Sequence, residues 1–189
     1  MSVIPKTIVL KFGGTSVASA EAIGSIAAIV SRLRARRPVV VVSAVRSVTE
    51  MLLALSRASH KEIPNRIHAI RNIHCELIRE LLSESARREE AREYVDEQLK
   101  KIEEVMRRGK LSLADSDELV SYGEIISSFI VALALRAHGI ETQQVIATDI
   151  IATDDRFGHA EFLPEKTGRN AQHVLVPLLK CGIVPPRRL

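Results

Sequence analysis

Tryptophan is absent from this 189-residue chain, and aromatic residues make up only 3% of it. So few rings speak against recognition by base stacking. Cysteine is scarce too, with Cys75 and Cys181 far apart. Two such residues make neither a disulfide framework nor a four-cysteine zinc site, and they point to a reducing, cytoplasmic setting. Neither sign of charge dominates: Lys+Arg 27 against Asp+Glu 23 leaves a formal net charge of +4. A dedicated nucleic-acid binder would crowd its basic residues on one face, so no nucleic-acid partner is expected. No run reaches the ~18 uninterrupted apolar residues of a membrane span, so no membrane partner is expected. The opening Met-Ser-Val-Ile-Pro-Lys has no long apolar segment behind a basic start, so no secretory signal is expected. The Walker and Gly-x-Gly-x-x-Gly spacings are missing as well.

What remains is a globular composition, 46% hydrophobic and 26% charged, of a length that suits one domain or one domain and part of another. Thr7 to Leu10 is short, β-branched and apolar, and runs into Lys11-Phe12-Gly13-Gly14. This reads as a buried strand and a glycine turn. Ile23, Ile26, Ile29, Val30 and Leu33 form a stripe that predicts a helix from about Ala20 to Arg36, stopped by Pro38. Val39 to Val42 is apolar at every position, as in a central parallel strand covered on both faces. The order strand, glycine loop, helix, strand is a βαβ unit. A helix follows over about Val48 to Ala58. Ile63 to Arg108 reads as two helices with a break near Ser83 to Ser85, an αα-hairpin. Asp115 to His138 reads as another helix, capped by Asp115, Ser116 or Asp117 and ended at Gly139. Short strands are expected at Thr142 to Ala147 and Ile150 to Ala152, then a helix from Ala171 to Leu179. Ile183-Val184 would start a strand that Pro185 and Pro186 end at once.

Four places have the residue types for chemistry. Lys11 with Gly13, Gly14 and Thr15 combines a cation with backbone that can approach phosphate oxygens at a helix start. The alternative is a turn that merely needs flexible residues. Ser43 stands just past the valine run, where open parallel sheets place ligands, with Thr49 six residues on. Either both bind a ligand or both cap the next helix. Glu124 lies among small and apolar neighbours behind Gly123, whose cost in a helix interior is about 1 kcal/mol relative to Ala. That cost implies close approach, by a ligand or by a packed helix. Arg156, in Asp154-Asp155-Arg156-Phe157-Gly158, either grips a carboxylate bidentately or pairs with its own aspartates. The six histidines have no tight ligand spacing. His74-Cys75 reads as helix packing, and no metal-binding residues are assigned. The basic cluster of Arg32, Arg34, Arg36 and Arg37 suits a helix C-terminus.

Taken together, these motifs resemble the aspartokinases of the amino-acid kinase superfamily. Val9 to Val17, with the string Lys-Phe-Gly-Gly-Thr-Ser-Val, is similar to the family's N-terminal signature. Val42 to Thr49 resembles its second loop, Glu118 to Glu124 its substrate-site helix, and Thr153 to Gly158 its arginine loop. The resemblance implies a three-layer αβα sandwich around a mainly parallel sheet. It implies phosphorylation of the L-aspartate β-carboxylate by ATP with Mg²⁺, the entry step to lysine, threonine and methionine. Lys11, Gly13, Gly14 and Thr15 would then take the ATP phosphates, with Lys11 catalytic. Ser43, Thr49, Glu124, Arg156, Phe157 and Gly158 would hold the amino acid. Two departures stand out. Ser47 replaces a glycine usual in the second loop, and Arg46 beside it has no family counterpart. The nucleotide-binding loop of the Thr-Thr-Leu-Gly-Arg-Gly-Gly-Ser-Asp type and the regulatory ACT domains are not among these residues. Residues 1–189 are therefore expected to be part of a catalytic domain, with an exposed sheet edge that favours a homo-oligomer. The alternatives are an inactive remnant that binds an amino acid or a partner, and a kinase of glutamate or acetylglutamate.

Overall fold

The computed structural model describes residues 7–180 and the backbone of 186–188. Strand β1 (Val9–Phe12) pairs in parallel with β2 (Val39–Val42), in the register Val9↔Val39 to Phe12↔Val42. Strand β3 (Pro186–Arg188) pairs in parallel with β2 on its other side, giving the order β1-β2-β3. The two prolines were expected to end a strand here, yet Pro186 lies in one. Ile183-Val184 falls outside the described residues.

The helices are α1 (Ala20–Arg32), α2 (Val48–Leu55), α3 (Ile63–Leu81), α4 (Ser85–Met106), α5 (Leu113–Ala137) and α6 (Pro164–Lys180). They cover both faces of the sheet, and the valines of β2 show how. Side chains alternate across a strand. Val40 and Val42 join the larger core with α1 through α5, whereas Val39 and Val41 join a second core with Val145, Ile150, Leu175 and Leu179. A run that is apolar at every position is what a strand buried on both faces requires. The result is three layers, α, β and α.

Local chemistry sets the boundaries. Ser19 caps α1 by accepting from the Ala22 N–H at 3.2 Å. The α-helical part of the first stripe stops at Arg32. A short 3₁₀ turn, Arg34–Arg36, carries the chain to Arg37 at φ +45°, just ahead of Pro38. Ser112, rather than Asp115, Ser116 or Asp117, caps α5. Its hydroxyl accepts from the Asp115 N–H, and the Asp115 carboxylate accepts in return from the Ser112 N–H. This capping box was readable in the Ser-x-x-Asp spacing. Gly139 follows α5 at φ +73°, as a left-handed helix stop favours.

Helix α5 is long and apolar enough to cross a membrane, with mean hydropathy 1.6, but 67% of that stretch is buried inside the protein. It is the core helix against which α4, α2, α1 and the sheet pack. Arg71 on α3 forks onto Asp96 on α4 at 2.6 and 2.9 Å. Tyr94 on α4 stacks on Phe129 of α5 with centroids 3.8 Å apart. These contacts close the helical hairpin onto α5.

Among the described residues the expected strands at Thr142 to Ala147 and Ile150 to Ala152 are not continuous. The chain there holds single bridge residues at Thr142, Val145 and Thr153, the last paired antiparallel with Phe162, and a 3₁₀ turn at Ala147–Asp149. Val145 and Ile150 are buried against Val39 and Val41. Helix α6 starts at Pro164, seven residues before the expected Ala171.

Candidate functional site

The parallel pairing of β1 and β2 puts their C-terminal ends side by side, so the two loops that leave them are neighbours. The Ser43 N–H donates to the Phe12 carbonyl at 3.1 Å, extending the ladder into the loops. Lys11 pairs in register with Val41, on the face opposite Leu10 and Phe12, which pack on the larger core. Val41 is buried, whereas Lys11 on the edge strand is exposed. Its ammonium is available to a ligand at the strand ends.

After Gly13 the chain makes a 3₁₀ turn, Gly14–Val17, in which the Ser16 N–H returns to the Gly13 carbonyl at 2.9 Å. The first donors of such a turn, those of Gly14 and Thr15, have no partner within it. Gly14 is required here by a contact. A Cβ on it would sit 2.9 Å from the Ala44 carbonyl oxygen, which belongs to the second loop and cannot swing away as a side chain would.

The second loop also explains Gly123. A Cβ there would meet the Ala44 Cβ at 3.0 Å, and Leu52 and Val48 on α2 at 3.2 Å each. Close helix packing is therefore what Gly123 serves, and it brings α5 against the second loop. Glu124, half-buried, follows directly. Ala44 is thus the meeting point of three motifs: Gly14 touches its carbonyl and Gly123 its methyl group. Sequence reasoning passed over this alanine, because a small apolar residue has no chemical signature.

Ser47 precedes α2 at φ +70°, the left-handed region that favours glycine, and its side chain makes no capping bond. The backbone thus keeps the shape for which glycine is usual, with a serine in it. Thr49 lies in the first turn of α2 and Ser43 at the end of β2, both half-buried.

The arginine loop is built differently. Arg156 is exposed, and its Nε donates to Asp154 at 2.6 Å while a second nitrogen meets Glu161 at 2.6 Å. Asp154 also accepts from the N–H groups of Glu161 and Arg156, at 2.8 and 3.3 Å. These bonds hold its carboxyl below the usual carboxylate range, the Glu161 N–H first and the Arg156 guanidinium next. The same partners raise Arg156. Phe157 is 51% exposed. Gly158, at φ +81°, donates its N–H to Asp117 Oδ2 on α5 at 2.9 Å. Asp117, considered only as a helix cap, is therefore an anchor of the arginine loop. Asp117, Ser121 and Glu124 are spaced i, i+4, i+7, one face of α5. The anchor lies about 10 Å along the helix from Glu124.

An ion-pair corner fixes the α5 turns that carry Asp117. Arg108 bonds Asp115 at 2.7 Å and Glu118 at 2.6 Å. The Ser112 hydroxyl, with Arg108, holds the Asp115 carboxyl down at about 2. Tyr122, bonded to Glu118 at 3.2 Å, is pushed up to about 12, chiefly by burial. His74 sits fully buried in α3, with Nδ1 2.8 Å from the Ile70 carbonyl. A carbonyl can only accept, so Nδ1 carries the proton, and Nε2 has no partner. Burial brings His74 down to about 4. It is core packing, as expected. Among the described residues no group of three or more His, Cys, Asp or Glu could hold a metal ion.

The amino acid kinase family profile matches residues 6–186. Lysine-sensitive aspartokinase 3 of Escherichia coli is 34% identical over 180 residues, covering 94% of this chain and 39% of that protein. Chloroplastic aspartokinase 3 of Arabidopsis thaliana is 32% identical, covering 83% of this chain and 29% of that protein. The crystal structure of E. coli aspartokinase III in complex with aspartate and ADP superposes with a TM-score of 0.86 at 33% identity, covering 96% of this chain and 40% of that one. The chain thus spans about two-fifths of the length of its E. coli relative.

Proposed function

The chain belongs to the amino acid kinase family, and on that premise we propose that it contributes part of the catalytic domain of an aspartate kinase. The reaction is transfer of the ATP γ-phosphoryl group to the L-aspartate β-carboxylate, giving 4-phospho-L-aspartate and ADP. The observation that supports this reading best is the convergence at Ala44. Gly14 on the phosphate-type loop, the end of β2 and Gly123 beside Glu124 meet within van der Waals distance.

The chemistry asks little of the protein beyond placement. A carboxylate nucleophile, with a pKa of about 3.9, is already ionised at neutral pH. No general base is needed, and catalysis rests on positioning and charge stabilisation. Lys11 neutralises charge on the transferring phosphoryl group. The N–H groups of Gly13, Gly14 and Thr15 face the phosphate oxygens. Glu124 takes the substrate ammonium, and Ser43 and Thr49 donate to its oxygens. Arg156 takes a substrate carboxylate. Its guanidinium has five donors, and Asp154 and Glu161 leave some of them for a ligand. Phe157 and Gly158 shape the wall beside it. Mg²⁺ bound with ATP would supply charge neutralisation at the phosphates, beside Lys11. The cytoplasm is the proposed compartment, although the Arabidopsis relative is named as chloroplastic. A homo-oligomer closing on a sheet edge is the proposed assembly, β1 being an outer strand among the described residues.

Binding tests this first. Ligand that binds only the folded state raises the melting midpoint by mass action. The chain should melt higher with L-aspartate, and Arg156→Ala and Glu124→Gln should each abolish the rise. A cooperative melt indifferent to aspartate would defeat the substrate assignment. A coupled ADP-release assay with MgATP then asks whether these residues suffice for transfer.

A further inference from the structure

Arg46 has no part in the proposed site, yet it stands between two of its loops. The Val48 N–H donates to the Val45 carbonyl at 3.0 Å, which closes a tight turn with Arg46 and Ser47 at its tip. Ser47, at φ +70° and ψ −10°, has the backbone of the third position of a type II turn. The turn fixes the Arg46 backbone, and the phosphate-type loop lies against it. A Cβ on Gly14 would meet the Arg46 backbone nitrogen at 3.6 Å and its Cα at 3.7 Å. Arg46 thus springs from the seam between the loop of Gly13 to Thr15 and the loop that carries Ser43 and Thr49.

Its side chain is a cation without a counter-charge. Arg66, Arg71, Arg108 and Arg156 each hold a carboxylate. Arg46 is exposed and holds none among the described residues, not even Glu50 four residues on. Lys11 is likewise exposed and without an ion pair among the described residues. The phosphate-type loop therefore has two uncommitted positive charges near it, one from β1 and one from the second loop.

In the proposed transfer a β-carboxylate oxygen bonds to the γ-phosphorus, the bond to the bridging oxygen breaks, and ADP leaves with its electron pair. Nucleophile and phosphoryl group are both anions, so their approach is repelled. A fixed cation helps most where the two meet. The seam is that place, since the phosphate oxygens are assigned to one loop and the amino acid to the other. A guanidinium presents parallel N–H donors to two oxygens at once, as bridging a phosphoryl oxygen and a carboxylate oxygen requires. We propose that Arg46 is a further catalytic residue, which spans the transferring phosphoryl group and the incoming carboxylate and offsets their repulsion. This rests on the kinase reading of the same site.

Binding of two anions to the whole chain tests it without requiring turnover. Isothermal titration gives the affinity for inorganic triphosphate, free of divalent cation, with and without saturating L-aspartate. In the wild-type chain L-aspartate should leave that affinity within about twofold. In Arg46→Gln it should weaken it about fivefold or more, the scale of an ordinary coupling between sites. Arg46→Lys, which keeps the charge, should restore most of the difference. Arg36→Gln removes an equal charge at the opposite end of β2 and should leave the coupling as in the wild type. A merely structural role for Arg46 would weaken triphosphate equally with and without L-aspartate, and that result overturns the inference. So does a wild-type chain that binds L-aspartate but no triphosphate up to about 10 mM. A wild-type chain that binds no L-aspartate defeats the kinase reading itself, and the inference falls with it.

Discussion

The two halves of the candidate site are held by different forces. The lysine–glycine half is held by shape. Gly14, Ala44 and Gly123 stack with no room for another carbon, and β2 beneath them is buried on both faces of the sheet. The arginine half is held by polar bonds at exposed positions: Asp154 and Glu161 around Arg156, and Asp117 under Gly158. Steric apposition cannot be loosened by pH or salt, and its failure is costly. Exposed ion pairs are worth little each and respond to both. One half behaves as scaffold, and the other can rearrange around a ligand.

The sharpest way to break this contrast is Gly14→Ala. The new Cβ would press on a backbone carbonyl at 2.9 Å, so the two loops must separate. Overpacking of this kind costs about 1–3 kcal/mol. A denaturant titration should show that loss, and the aspartate-dependent rise in melting midpoint should shrink with it. A wild-type midpoint would mean that the loops are not in contact. Ser47→Gly probes the one imperfect joint of the same half. A non-glycine residue in the left-handed region costs roughly 1–2 kcal/mol, and glycine returns part of that gain as lost chain entropy. A net stabilisation of about 0.5–1 kcal/mol is expected, read as a higher urea midpoint, and a lower one would refute the strain at Ser47.

On the polar side, Asp117→Ala removes the acceptor under Gly158 but nothing from the core. Its effect on global stability should stay within about 1 kcal/mol. Amide exchange at Gly158 should nevertheless speed up, and the aspartate response should weaken. Unchanged exchange at Gly158 would mean the loop does not lean on α5. Acid gives the smallest and most local effect. The carboxyl of Asp154 is lowered in the folded protein, so its contribution is present above its unfolded pKa. It is lost as pH falls through the lower folded value. The arginine loop should therefore loosen at acid pH while the glycine contacts at Ala44 stay. NMR shifts of residues 154–161 against those of 12–16 across an acid titration would show whether the two halves part in that order.

How much of this was legible in advance depends on the kind of force. The helical hairpin was plain, because Ile67, Ile70 and Leu77 on one stretch and Leu99, Ile102 and Val105 on the next repeat at helical spacing and are buried. The valine run announced a strand covered on both sides. The Thr142 to Ala152 stretch reads as two strands, whereas among the described residues it holds only single bridge residues, and Val145 and Ile150 take their burial against Val39 and Val41. At the site, Gly14 and Gly123 were conspicuous as glycines, but what each makes room for was hidden. Asp117 was legible as acidic and near a helix start, and its real partner is 41 residues away.

The sequence alone determined most of the helices and the two-sided burial of β2, since period 2 and period 3.6 are properties of the local backbone that any burial must respect. It determined the chemical vocabulary as well: Lys11 with its glycines, Glu124 and Arg156. Only the tertiary structure decided that the loop after Lys11 and the helix bearing Glu124 meet at Ala44, because adjacency across the fold depends on contacts that no local pattern encodes. Ala44 meets Gly14 and Gly123 because a parallel pairing aligns two strand ends and a third element packs within a methyl group's distance. A residue whose importance is the space it leaves has no signature until its neighbours are in place.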